Sequence, residues 1–188
     1  MAITILSAMY GTTNSGYDVT AACQALVNND NDDITASNAL EGDPDPGVTK
    51  TFGILYSDPN LNNGNPIALG CQENDTLDLV PSSSTASTST IAPVPALGAI
   101  TVVSAVYGTQ NNGNDVTAIC QYLVNNGNDQ IPVNNTYLGP DPDPGNTKEF
   151  AILFQVNDGG FQVLACQEGT TLTLVPIPPA PASPIGPS

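Results

Sequence analysis

Hydrophobic and polar positions alternate along much of this chain. In ITILSA, residues 3–8, positions 3, 5 and 7 alternate with positions 4, 6 and 8. The segments TLDLV (76–80) and TLTLV (171–175) alternate in the same way. TFGILY (51–56) and EFAILF (149–154) are short apolar runs, which favour buried strands. Asn-, Gly- and Pro-rich stretches between these segments supply turns. The pattern therefore predicts a mainly β chain.

One segment in each half of the chain has helical spacing instead. Apolar residues fall at i, i+3, i+4 and i+7 after Asp18 and again after Asp115, and both aspartates are suited to cap the start of a helix. A short helix is predicted at each place, with a strand as the alternative for VTAICQYLV (116–124). The residues with helical spacing are Val19, Ala22, Cys23 and Leu26 in the first segment and Val116, Ile119, Cys120 and Leu123 in the second.

The two halves of the chain match as copies of one sequence. AITILSAMYG at 2–11 returns as AITVVSAVYG at 99–108, and GDPDPGVTK at 42–50 returns as PDPDPGNTK at 140–148. Such self-similarity predicts two copies of one small domain, each a β-sandwich-like (Ig-like) unit with one short helix. The predicted segments are a first repeat at 1–81, a Ser/Thr/Pro linker at 82–98, a second repeat at 99–176 and a Pro-rich extended tail at 177–188.

Charge excludes two classes of partner. The chain has 18 acidic residues against two lysines and no histidine, which gives a net charge of −16. Nucleic acids and anionic membrane surfaces are bound through Lys and Arg, so we expect neither as a partner. No apolar run is long enough to cross a bilayer, and we expect no membrane insertion. The start of the sequence lacks the basic and apolar regions of a signal peptide.

Four cysteines occupy matching places in the two copies. One cysteine of each copy lies on the predicted helix and the other on a late strand. We predict one disulfide within each repeat, Cys23–Cys71 and Cys120–Cys166, which would stabilise a small unit and indicate an oxidising compartment. The alternative is four buried free thiols.

No residue pattern in the sequence indicates catalysis. Without histidine, Ser-His and Cys-His nucleophiles and HExxH zinc sites are absent. Glu73 and Glu168 follow the second cysteine of each copy, but neither has an evident second carboxylate for glycoside hydrolysis. We therefore expect no enzymatic activity, no cofactor and no small-molecule substrate.

Each copy contains the rigid turn DPDPG followed by a lone lysine. Its carboxylates are candidate Ca²⁺ ligands, although the spacing is not that of an EF-hand. We predict that Lys50 and Lys148 each form an ion pair with a nearby aspartate. The alternative is a Lys–Asn isopeptide bond of the kind found in bacterial surface adhesins. The candidate calcium ligands are Asp43, Asp45, Asp141 and Asp143.

Two sequons are glycosylation candidates in a secreted protein. They are NDT, beginning at Asn74, and NNT, beginning at Asn134.

The pattern YG…DVT…LV…N…GDPDPG..K resembles a domain family of unknown function. Its best-known members lie at the C-terminus of certain J-domain co-chaperones, and stand-alone or tandem members resemble microbial surface proteins. The resemblance covers both repeats, excludes the linker and tail, and implies no catalytic residue. The matching positions are Tyr10, Gly11, 18–20, 42–47 and Lys50, and then Tyr107, Gly108, 115–117, 141–145 and Lys148, with Pro140 in place of Gly42.

Tandem β units, scarce charge and Pro-rich connectors predict a structural subunit. We expect a homopolymer that assembles head to tail into an extracellular or cell-surface fibre, through exchange of strands or tails between subunits. The alternative is a secreted carbohydrate- or surface-binding module, against which the absence of tryptophan counts. The predicted assembly residues are Ile3, Ile5 and Tyr10 in the first strand and Pro178, Pro179, Pro181, Pro184 and Pro187 in the tail.

Overall fold

The computed structural model describes residues 3–80 and 99–174. Within these two segments the chain is mainly β, with one short α-helix in each half, so the predicted mainly β, sandwich-like class is confirmed. The division into two β-sandwich-like (Ig-like) repeats is not confirmed, because each half contributes one large sheet to a core that the halves share. The same order of elements occurs in the first half (3–80) and the second half (99–174). The predicted domain boundaries at 81–82 and 176–177 lie outside the described residues and stay predictions.

Each half contains six strands and one nine-residue helix among its described residues. The elements of the first half are β1 (Thr4–Gly11), β2 (Gly16–Asp18), α1 (Thr20–Asn28), β3 (Asp33–Thr35), β4 (Thr51–Ser57), β5 (Ile67–Gln72) and β6 (Thr76–Asp78), with a 3₁₀ turn at Asn62–Gly64. Those of the second half are β7 (Ile100–Gly108), β8 (Gly113–Asp115), α2 (Thr117–Asn125), β9 (Gln130–Pro132), β10 (Glu149–Val156), β11 (Gln162–Gln167) and β12 (Thr171–Thr173).

The helices begin where the helical spacing predicts. The Asp18 carboxylate accepts a hydrogen bond from the Thr20 backbone N–H at 3.0 Å, and Asp115 does the same for Thr117. These bonds satisfy N–H groups that the first turn of a helix leaves unpaired. Each aspartate lies one residue before the position at which the backbone enters the helix, which is Val19 in α1.

Each half folds into a four-stranded antiparallel sheet with a two-stranded sheet beside it. The strand orders are β2-β1-β4-β5 and β11-β10-β7-β8, and the small sheets pair β3 with β6 and β9 with β12. A separate hydrophobic core in each half contains residues of the helix, the large sheet and the small sheet. The helix and small sheet therefore cover one face of each large sheet.

The other faces of the two large sheets pack against each other, so the sandwich forms between the halves. This third core contains side chains from both sheets, including Met9 and Leu55 from the first half and Val106 and Leu153 from the second. Alternation in the central strands has a physical reason here: one set of side chains enters the core of its own half and the other set enters the shared core.

Reciprocal contacts relate the halves by an approximate two-fold axis. The backbone N–H of Gly70 donates to Thr109 O at 2.9 Å, and that of its counterpart Ala165 donates to Thr12 O at 2.8 Å. Gly16 lies so close to Val163 that a Cβ would meet its carbonyl oxygen at 2.7 Å. The equivalent Gly113 would place a Cβ 2.3 Å from the carbonyl oxygen of Ala68. The edges of the two large sheets thus meet at both sides of the sandwich.

The first strand lies inside the fold, which corrects its predicted part in assembly. Ile3, Ile5 and Tyr10 are buried in the core of the first half. Strand β1 pairs with β4 on one side and with β2 on the other, and beyond β2 the Gln24 Oε1 accepts the Ile5 N–H at 2.8 Å. Gln121 bonds Val102 in the same way. A glutamine side chain thus occupies the edge to which an incoming strand would add.

The predicted disulfides are not formed in the structure. All four cysteines are free thiols, and all are buried. Cys23 lies on α1 beside β1, whereas Cys71 lies on β5, which β4 separates from β1. Two strand spacings amount to roughly 10 Å, and a disulfide requires Cα atoms within about 7 Å. Cys120 and Cys166 have the same relationship in the second half. The alternative of buried thiols describes the structure.

The predicted assembly residues of the tail, from Pro178 to Pro187, lie outside the described residues.

Neither nine-residue helix, nor any other helix in the described segments, has the length and hydrophobicity to cross a membrane.

Candidate functional site

Lys50 is the centre of a buried polar cluster at one end of the first sheet. Its side chain is 4 % exposed, and Nζ lies 2.7 Å from Asp43 Oδ1 and 3.5 Å from Glu73 Oε1. The Tyr10 hydroxyl, from the end of β1, lies 2.8 Å from Glu73 Oε1 and 3.0 Å from Asn38 Oδ1. Asn38 Nδ2 in turn donates to Asp43 at 3.3 Å. Five side chains from separate parts of the half therefore form one closed network.

The second half contains the same network at equivalent positions. Lys148 Nζ lies 3.0 Å from Asp141 Oδ1 and 3.2 Å from Glu168 Oε2. Tyr107 lies 2.7 Å from Glu168 Oε1 and 2.9 Å from Asn135 Oδ1, and Asn135 donates to Asp141 at 3.0 Å. The two lysines, which are the only cations in the sequence, have the same role.

The networks stabilise the charged forms of their lysines and carboxylates. Hydrogen bonding to Lys50 lowers the pKa of Asp43, and the bond to Asp43 raises the pKa of Lys50 against the opposing effect of burial. Burial by itself would raise the pKa of Glu73, but hydrogen bonds from Tyr10 and from the Lys50 backbone outweigh it and lower that pKa. Burial and the bond to Glu73 raise the pKa of Tyr10. Each lysine is thus held as an ammonium between two carboxylates.

This electrostatic arrangement disfavours the two chemical alternatives for the turn. An isopeptide bond needs an unprotonated amine facing an amide carbon, whereas the Lys50 ammonium faces carboxylates and Asn38 is bonded to Tyr10 and Asp43. The candidate calcium ligands Asp43 and Asp141 bind lysine, and Asp45 accepts the Thr12 hydroxyl at 2.7 Å. Asp143 accepts the Thr109 hydroxyl at 2.6 Å. Within 3–80 and 99–174, no group of three metal-ligating side chains converges.

A β-bulge interrupts the first strand of each half on the side of the shared core. In β1 the pairing with β4 skips Leu6, between Ile5 and Ser7. In β7 the pairing with β10 skips Val103 in the same manner. Bulges redirect side chains and occur often beside functional sites. Leu6 and Val103 are 45 % and 44 % exposed, which is unusual for apolar residues in the middle of a strand.

The two bulges border one cleft, which we name the dyad cleft because equivalent residues of both halves line it. Its volume is about 630 Å³. Phe161, which is 61 % exposed, lines it, as do Asp18 and Asp115 at the starts of the two helices. The remaining lining residues are Leu6, Ser7, Thr20, Leu55, Val102, Val103, Ser104, Thr117, Ala118, Gln121 and Leu153.

Two residues that line the dyad cleft carry unpaired hydroxyl groups. Ser7 and Ser104 are each 4 % exposed, and neither Oγ has a hydrogen-bond partner among the described residues. A buried hydroxyl without a partner costs about 1–3 kcal/mol. Both serines directly follow a bulge, so the same irregularity that exposes Leu6 and Val103 adjoins each unpaired hydroxyl. Apolar walls with two polar groups are typical of a binding site.

The sequence identified the lysine networks better than the cleft. Lys50, Asp43 and Glu73 were all candidates, and the structure brings them together with Tyr10. Ser7 and Ser104 were missed, although a serine at the same place in two apolar strands is a signal that could have found them.

The two sequons occupy different places in the halves. Asn74 is exposed in the turn between β5 and β6. Asn134 follows β9, and its side chain accepts the backbone N–H groups of Thr136 and Tyr137. Glycosylation of either residue stays a prediction.

No family model, no curated protein and no solved structure matches this chain. The resemblance to the J-domain-associated family therefore stays an expectation.

Proposed function

We propose that this protein is a non-enzymatic structural subunit that assembles with copies of itself into an extracellular fibre. The observation that carries the proposal is the dyad cleft, which exposes three large apolar side chains, Leu6, Val103 and Phe161, in one concave surface. Apolar surface of this kind marks an interaction site in a folded protein. With a net charge of −16, the rest of the surface opposes unspecific association.

The ionisable groups support a structural role rather than catalysis. Both lysines and the carboxylates around them satisfy one another within the networks, and the pKa shifts keep them charged. A general acid or base needs the opposite, a pKa moved toward neutrality and a free path to a substrate. The networks instead fasten the DPDPG turns to the ends of the sheets.

The covered strand edges determine how such a subunit can assemble. The two large sheets meet each other at both sides, and Gln24 and Gln121 occupy the remaining edges of β1 and β7. Addition of a strand to the main sandwich is therefore disfavoured. Side-chain docking in the dyad cleft is the route that these contacts leave open, and it replaces the strand exchange that the sequence predicted.

Sedimentation velocity and negative-stain electron microscopy over a range of protein concentrations test the proposal. We expect filaments with a regular repeat. Phe161→Ser should weaken assembly, whereas Tyr122→Ser should not, since Tyr122 is also 61 % exposed but lies on α2 outside the cleft. A protein that stays monomeric at every concentration overturns the proposal, and glycan binding by that monomer would favour the carbohydrate-binding alternative.

A further inference from the structure

We propose that the dyad cleft binds the proline-rich segment 175–188 of a second copy of this chain. The inference rests on the fibre function proposed above and names the contact that joins the subunits. Each chain has one dyad cleft and one such segment, so the contact is heterologous. A heterologous contact propagates into a filament unless its rotation closes a ring.

The unpaired hydroxyls of the cleft match the hydrogen-bonding chemistry of this segment. Ser7 and Ser104 each offer an O–H donor that has no acceptor within the described residues. Segment 175–188, VPIPPAPASPIGPS, contains six prolines. Proline has a carbonyl acceptor but no N–H donor, and a proline-rich chain forms no internal hydrogen bonds. Its free carbonyls supply the acceptors that both serine hydroxyls lack, and it brings few donors that would need an acceptor in the cleft. Because each Oγ is buried, this contact requires the serine side chains to rotate toward the cleft.

The apolar walls match the side chains of the segment. Leu6, Val103 and Phe161 line the cleft and are between 44 % and 61 % exposed. The segment presents proline rings together with Ile177 and Ile185. Proline-rich peptides dock against aromatic and aliphatic grooves of this kind with little loss of conformational entropy, because the chain is already restricted.

Charge favours this segment over the acidic halves of the chain. All 18 acidic residues lie within 3–80 and 99–174, whereas 175–188 has no ionisable side chain. Asp18 and Asp115 line the cleft, so an acidic surface of another copy would be repelled. A neutral segment approaches without that cost.

The segment is long enough to reach a neighbour. The described chain ends at Leu174, whose side chain is buried in the second half, and 14 residues follow. An extended polyproline segment advances ~3.1 Å per residue, so it can span ~40 Å. That length exceeds the ~30 Å diameter of a small domain.

Two full-length variants with complementary defects test the inference. The cleft variant is Leu6→Asp/Val103→Asp, and the tail variant is Ile177→Asp/Ile185→Asp. We expect each variant alone to sediment as a monomer. An equimolar mixture should form a one-to-one dimer and nothing longer, because only the tail of the cleft variant and the cleft of the tail variant remain intact. Thermal unfolding verifies that both variants are folded.

Matched substitutions separate docking in the cleft from unspecific effects. Val48→Asp introduces the same charge at a residue that is 44 % exposed but lies outside the cleft, and it should leave assembly unchanged. Ile91→Asp places the charge in the linker at 82–98, which is also uncharged, and should likewise have no effect. Ser7→Ala/Ser104→Ala should weaken association at least tenfold while it preserves or raises the unfolding temperature.

The outcomes distinguish this inference from the proposed function. A mixture that stays monomeric overturns the inference, as does loss of assembly through Ile91→Asp but not through the tail variant. Filaments that both variants form as readily as the unmodified chain leave the fibre function standing and overturn the tail contact. A one-to-one dimer in the mixture, together with closed rings rather than filaments from the unmodified chain, supports the contact and overturns the fibre.

Discussion

The Thr51 hydroxyl donates a 3.0 Å hydrogen bond to Glu149 Oε2, and these two residues occupy the same position in the two copies of the sequence. A contact between equivalent positions lies on the axis that relates the copies. The copies differ here, because the second places a carboxylate where the first has a hydroxyl. Glu149 is 5 % exposed, and Gln167 also donates to it at 2.9 Å. The axis thus passes through a buried acid.

We expect Glu149→Gln to stabilise the protein at neutral pH. Burial raises the pKa of Glu149 above its ordinary value of 4.5. A raised folded-state pKa makes the folded protein less stable above that pKa, and the loss disappears as the pH falls to the ordinary value. Glutamine keeps the shape and removes the charge, so the free energy of unfolding at pH 7 should rise on the order of 1 kcal/mol.

Urea unfolding at pH 7 and at pH 4.5 measures this effect. The difference between the variant and the unmodified protein should shrink at the lower pH. Glu41→Gln is the control, because Glu41 is exposed and should change the stability by less than about 0.5 kcal/mol. A Glu149→Gln protein that is less stable at pH 7 contradicts the prediction.

Lys148→Met should destabilise the second half. The substitution leaves Asp141 and Glu168 buried in part and facing each other without the ammonium. Removal of one partner of a fully buried pair costs about 3–5 kcal/mol, and the partial exposure of these carboxylates brings the expected loss down to about 2 kcal/mol. Adding Glu168→Gln should restore part of the loss, since it removes one of the two unpaired charges.

The same network should dominate the loss of unfolding free energy at acid pH. Its carboxylates have lowered pKa values, so their contribution is present above the ordinary carboxyl pKa and is lost as the pH falls through the folded-state value. This sign is opposite to that of Glu149. Unfolding free energies below pH 4 should therefore fall more steeply for the unmodified protein than for Lys148→Met, and equal slopes would argue against the network.

Gly113→Ala tests the close approach of the two halves. Its Cβ would lie 2.3 Å from the carbonyl oxygen of Ala68, which is backbone and cannot rotate away. Overpacking of this kind costs about 1–3 kcal/mol. Gly160→Ala is the control, because a Cβ there meets nothing within 4 Å. Chemical denaturation measures both, and two variants of equal stability would show that the halves do not approach as described.

The four thiols should be present but unreactive in the folded protein. Burial raises the pKa of Cys23 and of Cys166 to about 12, so little thiolate exists at neutral pH. A thiol reagent should therefore label none of the cysteines before unfolding and all four afterwards, without any reductant. Labelling of none after unfolding would demonstrate two disulfides and overturn the structural assignment.

Local pattern predicted the two helices and the central strands of this protein. The spacing of Val19 and Cys23 predicted α1, and the apolar run from Thr51 predicted β4, because helix and strand periodicities depend on neighbouring residues only. Part of each lysine network could be predicted for a similar reason. Lys50 and Asp43 are close in sequence, and their repetition in the second copy marked them, but Tyr10 and Asn38 join them only through folding.

The bulges, the packing of the two halves and the dyad cleft depend on tertiary structure. Alternation in β1 predicts that Ala8 faces away from Ile5, yet the bulge at Leu6 places both in the same core. A bulge depends on the strand to which β1 pairs, and no local pattern encodes it. The sandwich between the halves, the axis through Glu149 and the dyad cleft depend likewise on contacts between residues about a hundred positions apart. Each copy has the same sequence pattern whether or not the other packs against it, so only the assembled fold reveals the surface that they form together.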